Sequence, residues 1–271
     1  MRGSSRAAAA AVEEVFAGLL AGGVDRAGLG EDLFAASAVI DANPSLRRAL
    51  ADPSRESADK KALAERLFGG KVSAEAASLL GAVAGGRWAQ EGDLADTIES
   101  LAVQSFLAKA EGEGRIDAVE DELFRFERIV AGDSELRDTL SMRNTDAKGK
   151  SNLVAILLAG KAQPETVRLA QQAVTTPRGR RLDRIMEHFL ALAATRREEL
   201  TALVTVVAPL TEQQQARLRT ALERIYGKTV KLQSIIDAGV VGGIRVQVGD
   251  EVVDGTVIRR LDEARRHITG K

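Results

Sequence analysis

The stretch EDLFAASAVIDANPSLRRAL, Glu31 to Leu50, returns ninety residues later as DELFRFERIVAGDSELRDTL, Asp121 to Leu140. Leu33/Leu123, Phe34/Phe124, Leu46/Leu136, Arg47/Arg137 and Leu50/Leu140 are identical. The alignment runs on without a gap to Glu75/Glu165 and keeps 11 of 45 positions, including Lys60/Lys150, Leu63/Leu153, Leu67/Leu157, Gly70/Gly160 and Lys71/Lys161. Many matches are apolar, as expected when two copies pack to one core plan. An ungapped register through two turns reads as a duplicated helical domain.

Outward from the repeat, the apolar period stays helical. Leu79, Leu80, Val83 and Ala84 form one stripe; Leu94, Ile98, Leu101 and Ala102 another; Leu182, Ile185, Met186, Phe189 and Leu190 a third. Asn43–Pro44, Asp52–Pro53, Gly69–Gly70, Gly85–Gly86, Pro164 and Thr176–Pro177 punctuate them. Short helices with short joints predict antiparallel bundles. The same shift lays Phe16 on Phe106, so the first helix of the second copy overlaps the last helix of the first, over residues 93–110. Whether the copies share that helix or sit end to end stays open at this point.

From about Glu199 the pattern changes. Residues 203–207 alternate as a buried strand ended by Pro209, and Thr211 is a good N-cap for a helix to Tyr226 stopped by Gly227. Residues 230–236 and 244–248 read as further strands, with Gly249–Asp250 turning into Val252–Val253, and Thr256 caps a last helix reaching His267. The expected fold is mainly α with a small α+β C-terminal domain: bundle copies over 1–110 and 111–198, then a sheet packed with helices over 199–271.

Composition narrows the function. With 38 basic and 39 acidic residues, net charge −1, the chain lacks the basic excess usual in nucleic-acid binders. The absence of cysteine excludes disulfides, thiolate metal sites and cysteine nucleophiles. Aromatic residues make up 3%, so the cores must be built from Leu, Val, Ile and Ala. Glu13 and Glu14 interrupt the N-terminal apolar run, Ala7 to Val12, too early for a secretory signal or a membrane span. A soluble protein that remains in the cytoplasm is expected.

Val230-Lys-Leu232-Gln-Ser-Ile-Ile236-Asp237-Ala-Gly-Val240-Val-Gly242-Gly243-Ile244-Arg-Val246-Gln-Val248-Gly249-Asp250 resembles the C-terminal signature of the ATP synthase delta subunit, called OSCP in mitochondria. Val253-Asp254-Gly255-Thr256-Val257 and Arg260-Leu261 continue the pattern, and Val207-Ala-Pro-Leu-Thr211 precedes it. Gly242 and Gly243 between apolar runs allow a bend or a close backbone approach that a Cβ would block. Upstream, Leu46-Arg-Arg-Ala-Leu50, Leu67-Phe-Gly-Gly-Lys71 and Gly86-Arg-Trp88 look like the family's N-terminal helical bundle. The usual member carries one bundle; two copies look like the extended actinobacterial form.

The resemblance implies a non-catalytic stator subunit on the cytoplasmic face of a bacterial plasma membrane. One bundle would receive the N-terminal helix of an alpha subunit in a groove, and the C-terminal unit would bind the end of a b-type stalk. Val12, Phe16, Leu79, Leu80 and Val83 are the groove candidates, with Trp88 as a core or anchor residue at a joint. No cofactor, metal or nucleic acid is implied. A generic helical adaptor is the alternative.

Other motifs have plainer readings. Lys148-Gly-Lys-Ser151 ends like a phosphate loop, but Asn144 stands where its first glycine belongs and no buried strand precedes it. His188 and His267 lack companions for a metal site. The carboxylates occur as charged helix faces, without the desolvated member that acid–base catalysis needs. The run Arg178, Arg180, Arg181, Arg184 suits an acidic partner or lipid headgroups, though a solvated face is commonest.

Overall fold

In the computed structural model, which describes residues 3–142, 146–226, 228–237, 243–248 and 251–254, the chain forms two compact units, residues 1–195 and 196–271. The first holds α1 (Gly3–Ala21), α2 (Arg26–Ala42), α3 (Pro44–Ala51), α4 (Ser57–Phe68), α5 (Ala74–Gly85) and α6 (Glu91–Gly112). There follow α7 (Ile116–Gly132), α8 (Ser134–Ser141), α9 (Ala147–Leu158), α10 (Pro164–Thr175) and α11 (Leu182–Glu198). Both ends of α2, α3, α4 and α5 recur ninety residues on as the ends of α7, α8, α9 and α10. Shifted by the same amount, α1 falls within α6.

Local devices recur in the same register. Asp32 on α2 accepts from the backbone N–H of Ser73 ahead of α5, and Glu122 on α7 accepts from that of Gln163 ahead of α10, each at 2.8 Å. Both contacts satisfy a helix N-terminus that would otherwise leave its amides orphaned. Gly70 and Gly160, after α4 and α9, hold φ of 69° and 68°, a left-handed region that a Cβ makes costly. Lys60 and Lys150 are both buried, their ammonium groups donating to the carbonyls of Gly86 (2.7 Å) and Met142 (2.5 Å). Burial pushes both lysines below their ordinary pKa.

Helix α6 is the hub. Its buried residues, from Leu94 to Ala110, occupy all sides, and one apolar core runs without a break from Val12 to Ala193. A helix apolar all round must be enclosed, and this one is packed against by helices of both copies. Phe34 on α2 stacks on Phe106 of α6 with ring centroids 5.8 Å apart. Its repeat counterpart Phe124 is 51% exposed, against 3% for Phe34, and the position ninety residues beyond Phe106 is Arg196, so the aromatic pair does not recur in the sequence.

The second unit is a four-stranded sheet in the order β2-β1-β3-β4, with β1 (Glu199–Val206), β2 (Thr229–Ile236), β3 (Ile244–Val248) and β4 (Glu251–Asp254). Parallel pairing of β1 and β2 requires a crossover, supplied by α12 (Glu212–Tyr226); the other pairs are antiparallel. The N-terminus of α12 is closed reciprocally: Gln214 N–H donates to Thr211 Oγ1 (3.3 Å) and Thr211 N–H to Gln214 Oε1 (2.9 Å). Ala202, Val204, Val206, Val230, Val246 and Val248 pack with Leu222 of α12 in a separate core. The expected helix from Thr256 to His267 lies outside the described residues.

Candidate partner-binding surfaces

Helices α1 and α5 lie side by side, with Val12 and Phe16 on the first, Leu79, Leu80 and Val83 on the second and Trp88 just beyond it. Val12, Phe16, Leu79, Leu80, Val83 and Trp88 are all buried. A residue on an apolar stripe faces the bundle's own core before it can face a partner, and these side chains serve the bundle's own packing. Trp88 Nε1 donates to the carbonyl of Val83 at 2.8 Å, fixing the end of α5, and its ring lies against Gly86. Buried Ser5 joins α1 to the start of α6: its hydroxyl donates to Asp93 (2.6 Å) and accepts from Ala89 N–H (2.8 Å). On the other flank of α1, Gln104 of α6 donates to Glu13 at 2.7 Å.

What α1 and α5 turn outward is a mix of small residues and carboxylates, with Glu14 and Glu75 both exposed. Ala11, Val15 and Gly18 are exposed on α1, with Ser78 exposed and Gly81 and Ala82 half-buried on α5. A Cβ built on Gly18 or on Gly81 would meet nothing within 4 Å.

A second constellation was hidden from the sequence. Arg178, the one non-glycine residue with positive φ (52°) among those described, forms ion pairs with Asp41 of α2 (2.7 Å) and Asp96 of α6 (2.9 Å) and donates to Glu99 of α6 (3.2 Å). Arg180 grips Glu99 at 2.5 and 2.7 Å, and His188 of α11 meets Ser100 at 2.9 Å. Burial raises the Asp41 carboxyl above its ordinary value, with Arg178 and Arg47 pulling it back, and burial lowers His188. Of the arginine run, then, Arg178 and Arg180 are structural, while Arg181 and Arg184 remain exposed beside Asp183 and Glu187. The available signal was Glu99 itself, set between Ile98 and Leu101 of an apolar stripe. Glu165 is a parallel case: burial works to raise it, yet hydrogen bonding from Lys109 (2.5 Å) and the charge of Arg115 hold it below the usual range.

In the second unit the signature residues divide. Val230 and Val246 are core; Leu232 and Ile244 are half-buried; Ile236 is 60% exposed. Asp237 is exposed and its N–H donates to the carbonyl of Val206 at 2.9 Å, extending the β1–β2 pairing. Gly243 holds φ of 94°, which suits glycine alone, and Asp254 pairs in register with Arg245. Val240, Gly242, Gly249 and Asp250 lie outside the described residues. Val207, Ile225, Ile235 and Val252 are exposed as well, giving this small unit several unpartnered apolar side chains. A shallow trough along α12 is lined by Ala216, Arg217, Thr220, Ala221 and Arg224.

Among the described residues no cluster of His, Asp and Glu is arranged to hold a metal, and no helix is long and apolar enough to cross a membrane. Lys150, in the phosphate-loop-like string, has its ammonium spent on Met142, and Asp146 caps α9 by accepting from Lys148 N–H at 3.1 Å.

The sequence pattern of the family described as ATP synthase delta (OSCP) subunit matches residues 102–268. Over nearly their whole length, two proteins called ATP synthase subunit delta are similar to this chain. That of Kineococcus radiotolerans is 44% identical over 269 residues, covering 99% of this chain and 98% of its own. That of Streptomyces griseus subsp. griseus is 44% identical over 271 residues, covering 100% of both. A helical unit with a repeat register, an α+β unit carrying the signature strands, and similarity end to end lead to one assignment: the chain belongs to the ATP synthase delta (OSCP) subunit family.

Proposed function

We propose that the chain is the stator link of an F-type ATP synthase, joining the catalytic head to the peripheral stalk. Family membership makes it a non-catalytic subunit of that complex. In our reading residues 1–110 and 111–198 are duplicated bundles sharing the helix over 93–110, and residues 199–271 are a stalk-binding domain. One bundle takes the N-terminal helix of the alpha subunit; the C-terminal domain holds the end of a b-type subunit. The chain sits on the cytoplasmic face of the plasma membrane and reaches the membrane only through the complex.

The observation that carries this reading is the open face of α1 and α5: exposed Ala11, Val15, Gly18 and Ser78, edged by Glu14 and Glu75, suit an amphipathic helix with basic flanks laid against them. Exposed Ile235, Ile236 and Val207 in the other unit supply apolar surface for a second partner. The work is mechanical. Rotation of the central shaft applies torque to the head, and unless the head is held the energy is lost as idle rotation. The links must outlast many turnovers, which calls for slow dissociation and affinity near nanomolar, about −12 kcal/mol. Affinity purification of the tagged chain from its own cells tests this. Alpha and b-type subunits should come down together; recovery of the chain with neither refutes the proposal.

A further inference from the structure

The joint between α10 and α11 differs from its own duplicate. Ninety residues earlier, at the α5–α6 joint, Trp88 stands where Arg178 stands and Gln90 where Arg180 stands. Ala9, Arg6 and Ile98 occupy the positions that correspond to Glu99, Asp96 and His188. The clamp of Arg178 and Arg180 on Glu99 therefore has no equivalent in the first copy, where a buried tryptophan closes the joint.

We propose that the α10–α11 joint is a mechanical anchor, which holds α11 in register against the load that passes along the chain from the helical unit to the second unit. The inference rests on the stator reading and deepens it by naming the residues that bear the load.

The covalent path between the two units runs along α11, and β1 begins at the very next residue, Glu199. Ile185, Met186, Phe189 and Ala193 bury the inner face of this helix completely. Apolar contact is non-directional, so it resists lifting the helix away but opposes a slide along its axis only weakly. A charge-assisted hydrogen bond with two contact points fixes both distance and direction. Arg180 makes such a grip on the two oxygens of Glu99, at 2.7 and 2.5 Å. Arg178 adds Glu99 again at 3.2 Å, with Asp96 of the same helix and Asp41 of α2. Two turns into α11, His188 meets Ser100 of α6 at 2.9 Å. The root of the exit helix is thus pinned to α6 and α2 by directional bonds.

Stability alone does not call for this arrangement. An apolar residue of similar volume commonly serves as well as a buried ion pair, and Trp88 does so at the duplicate joint. Arg178 also holds φ of 52°, a conformation that a non-glycine residue keeps only where its surroundings over-determine it. A joint that must keep α11 from slipping accounts for both features: buried charge supplies direction, and the strained residue aims its guanidinium at acids on two helices.

Single-molecule pulling on the full chain tests this. The chain has no cysteine, so Ser78→Cys on α5 and Thr195→Cys near the end of α11, both at exposed positions, supply two unique handles. Glu99→Gln should lower the force of the first rupture to roughly half, because a charge-assisted hydrogen bond is about twice as strong as a neutral one. Arg180→Gln, which removes only the half-buried partner, is the milder variant and should lower the force in the same sense. Glu165→Gln is the matched control. Its carboxylate is equally enclosed, but its partners Lys109 and Arg115 lie on α6 and at the α6–α7 joint. It should lower the melting temperature and leave the rupture force as in the wild type. Unchanged force in Glu99→Gln and Arg180→Gln, or an equal loss with Glu165→Gln, overturns the anchor and leaves the stator reading intact. In membranes carrying Glu99→Gln, alpha and b-type subunits should still copurify with the chain while proton-driven ATP synthesis falls at least twofold; synthesis at the wild-type rate overturns the load-bearing role. Copurification of neither subunit with the wild-type chain overturns the stator reading, whatever the pulling shows.

Discussion

Replacing Glu99 by glutamine should cost this protein more than any change in its exposed charges. The carboxylate is buried on α6 and accepts from Arg180 at 2.5 and 2.7 Å and from Arg178 at 3.2 Å. Glutamine keeps the shape and one acceptor oxygen but removes the charge, leaving two guanidinium groups short of a partner. Breaking a buried ion pair from one side costs about 3–5 kcal/mol. Here the loss is smaller, because Arg178 keeps Asp41 and Asp96 and the Arg180 side chain retains 28% of its surface for water. The expected cost is therefore roughly 2–3 kcal/mol, at or just below the lower end of that range. For a unit of 195 residues this lowers the melting temperature by about 5–10 °C, at roughly 2–4 °C per kcal/mol. Thermal unfolding followed at 222 nm reads the shift, and a cycle with Arg180→Met should return a coupling of at least about 1 kcal/mol. Asp183→Asn, which breaks the exposed pair with Arg181, is the comparison and should move stability by less than about 0.5 kcal/mol. A shift for Glu99→Gln no larger than that of Asp183→Asn would refute the argument that this cluster clamps α2, α6 and α11 together.

The remaining predictions use other parts of the molecule. Because burial depresses the folded-state pKa of His188, its contribution to stability is present above about pH 6.5 and is lost as the pH falls through that depressed value. Melting temperature should decline below pH 6.5, and His188→Gln should flatten the decline; an unchanged profile contradicts the assignment. Gly160→Ala places a Cβ at φ 68° and should cost about 1 kcal/mol in chemical denaturation. Val83→Asp puts a carboxylate in the bundle core and should destabilise the helical unit by more than about 3 kcal/mol, so it unfolds the bundle instead of selectively weakening a contact. Ile236→Glu alters an exposed side chain of the β-unit and should weaken capture of a b-type fragment at least tenfold with no change in melting temperature.

Much of this fold is legible in the sequence because the helical period and the repeat constrain each other. The shift that aligned Leu33 with Leu123 also aligned both ends of four helix pairs, and residues 93–110, where the two copies overlap in sequence, lie within α6. Burial was harder to read. A Leu or Val on an apolar stripe looks the same whether it faces its own core or a visitor, so Val12, Leu79 and Val83 pointed to a groove and lie in the core. Identity across the repeat does not carry environment either: Glu75 is exposed while Glu165, its match, is enclosed by Lys109 and Arg115. The clamp around Glu99 was unreadable for a related reason. Asp41, Glu99 and the Arg178–Arg180 pair are far apart in the chain, and only the packed helices bring them together.

The most direct test of the account is assembly from purified parts. Catalytic head, soluble b-type stalk fragment and this chain are mixed pairwise and together, then followed by sedimentation velocity. Head and stalk should sediment as one species when the chain is present and separately when it is withheld, with ATP hydrolysis by the head unchanged. Head and stalk that join equally well without the chain, or a chain that binds neither, would contradict it.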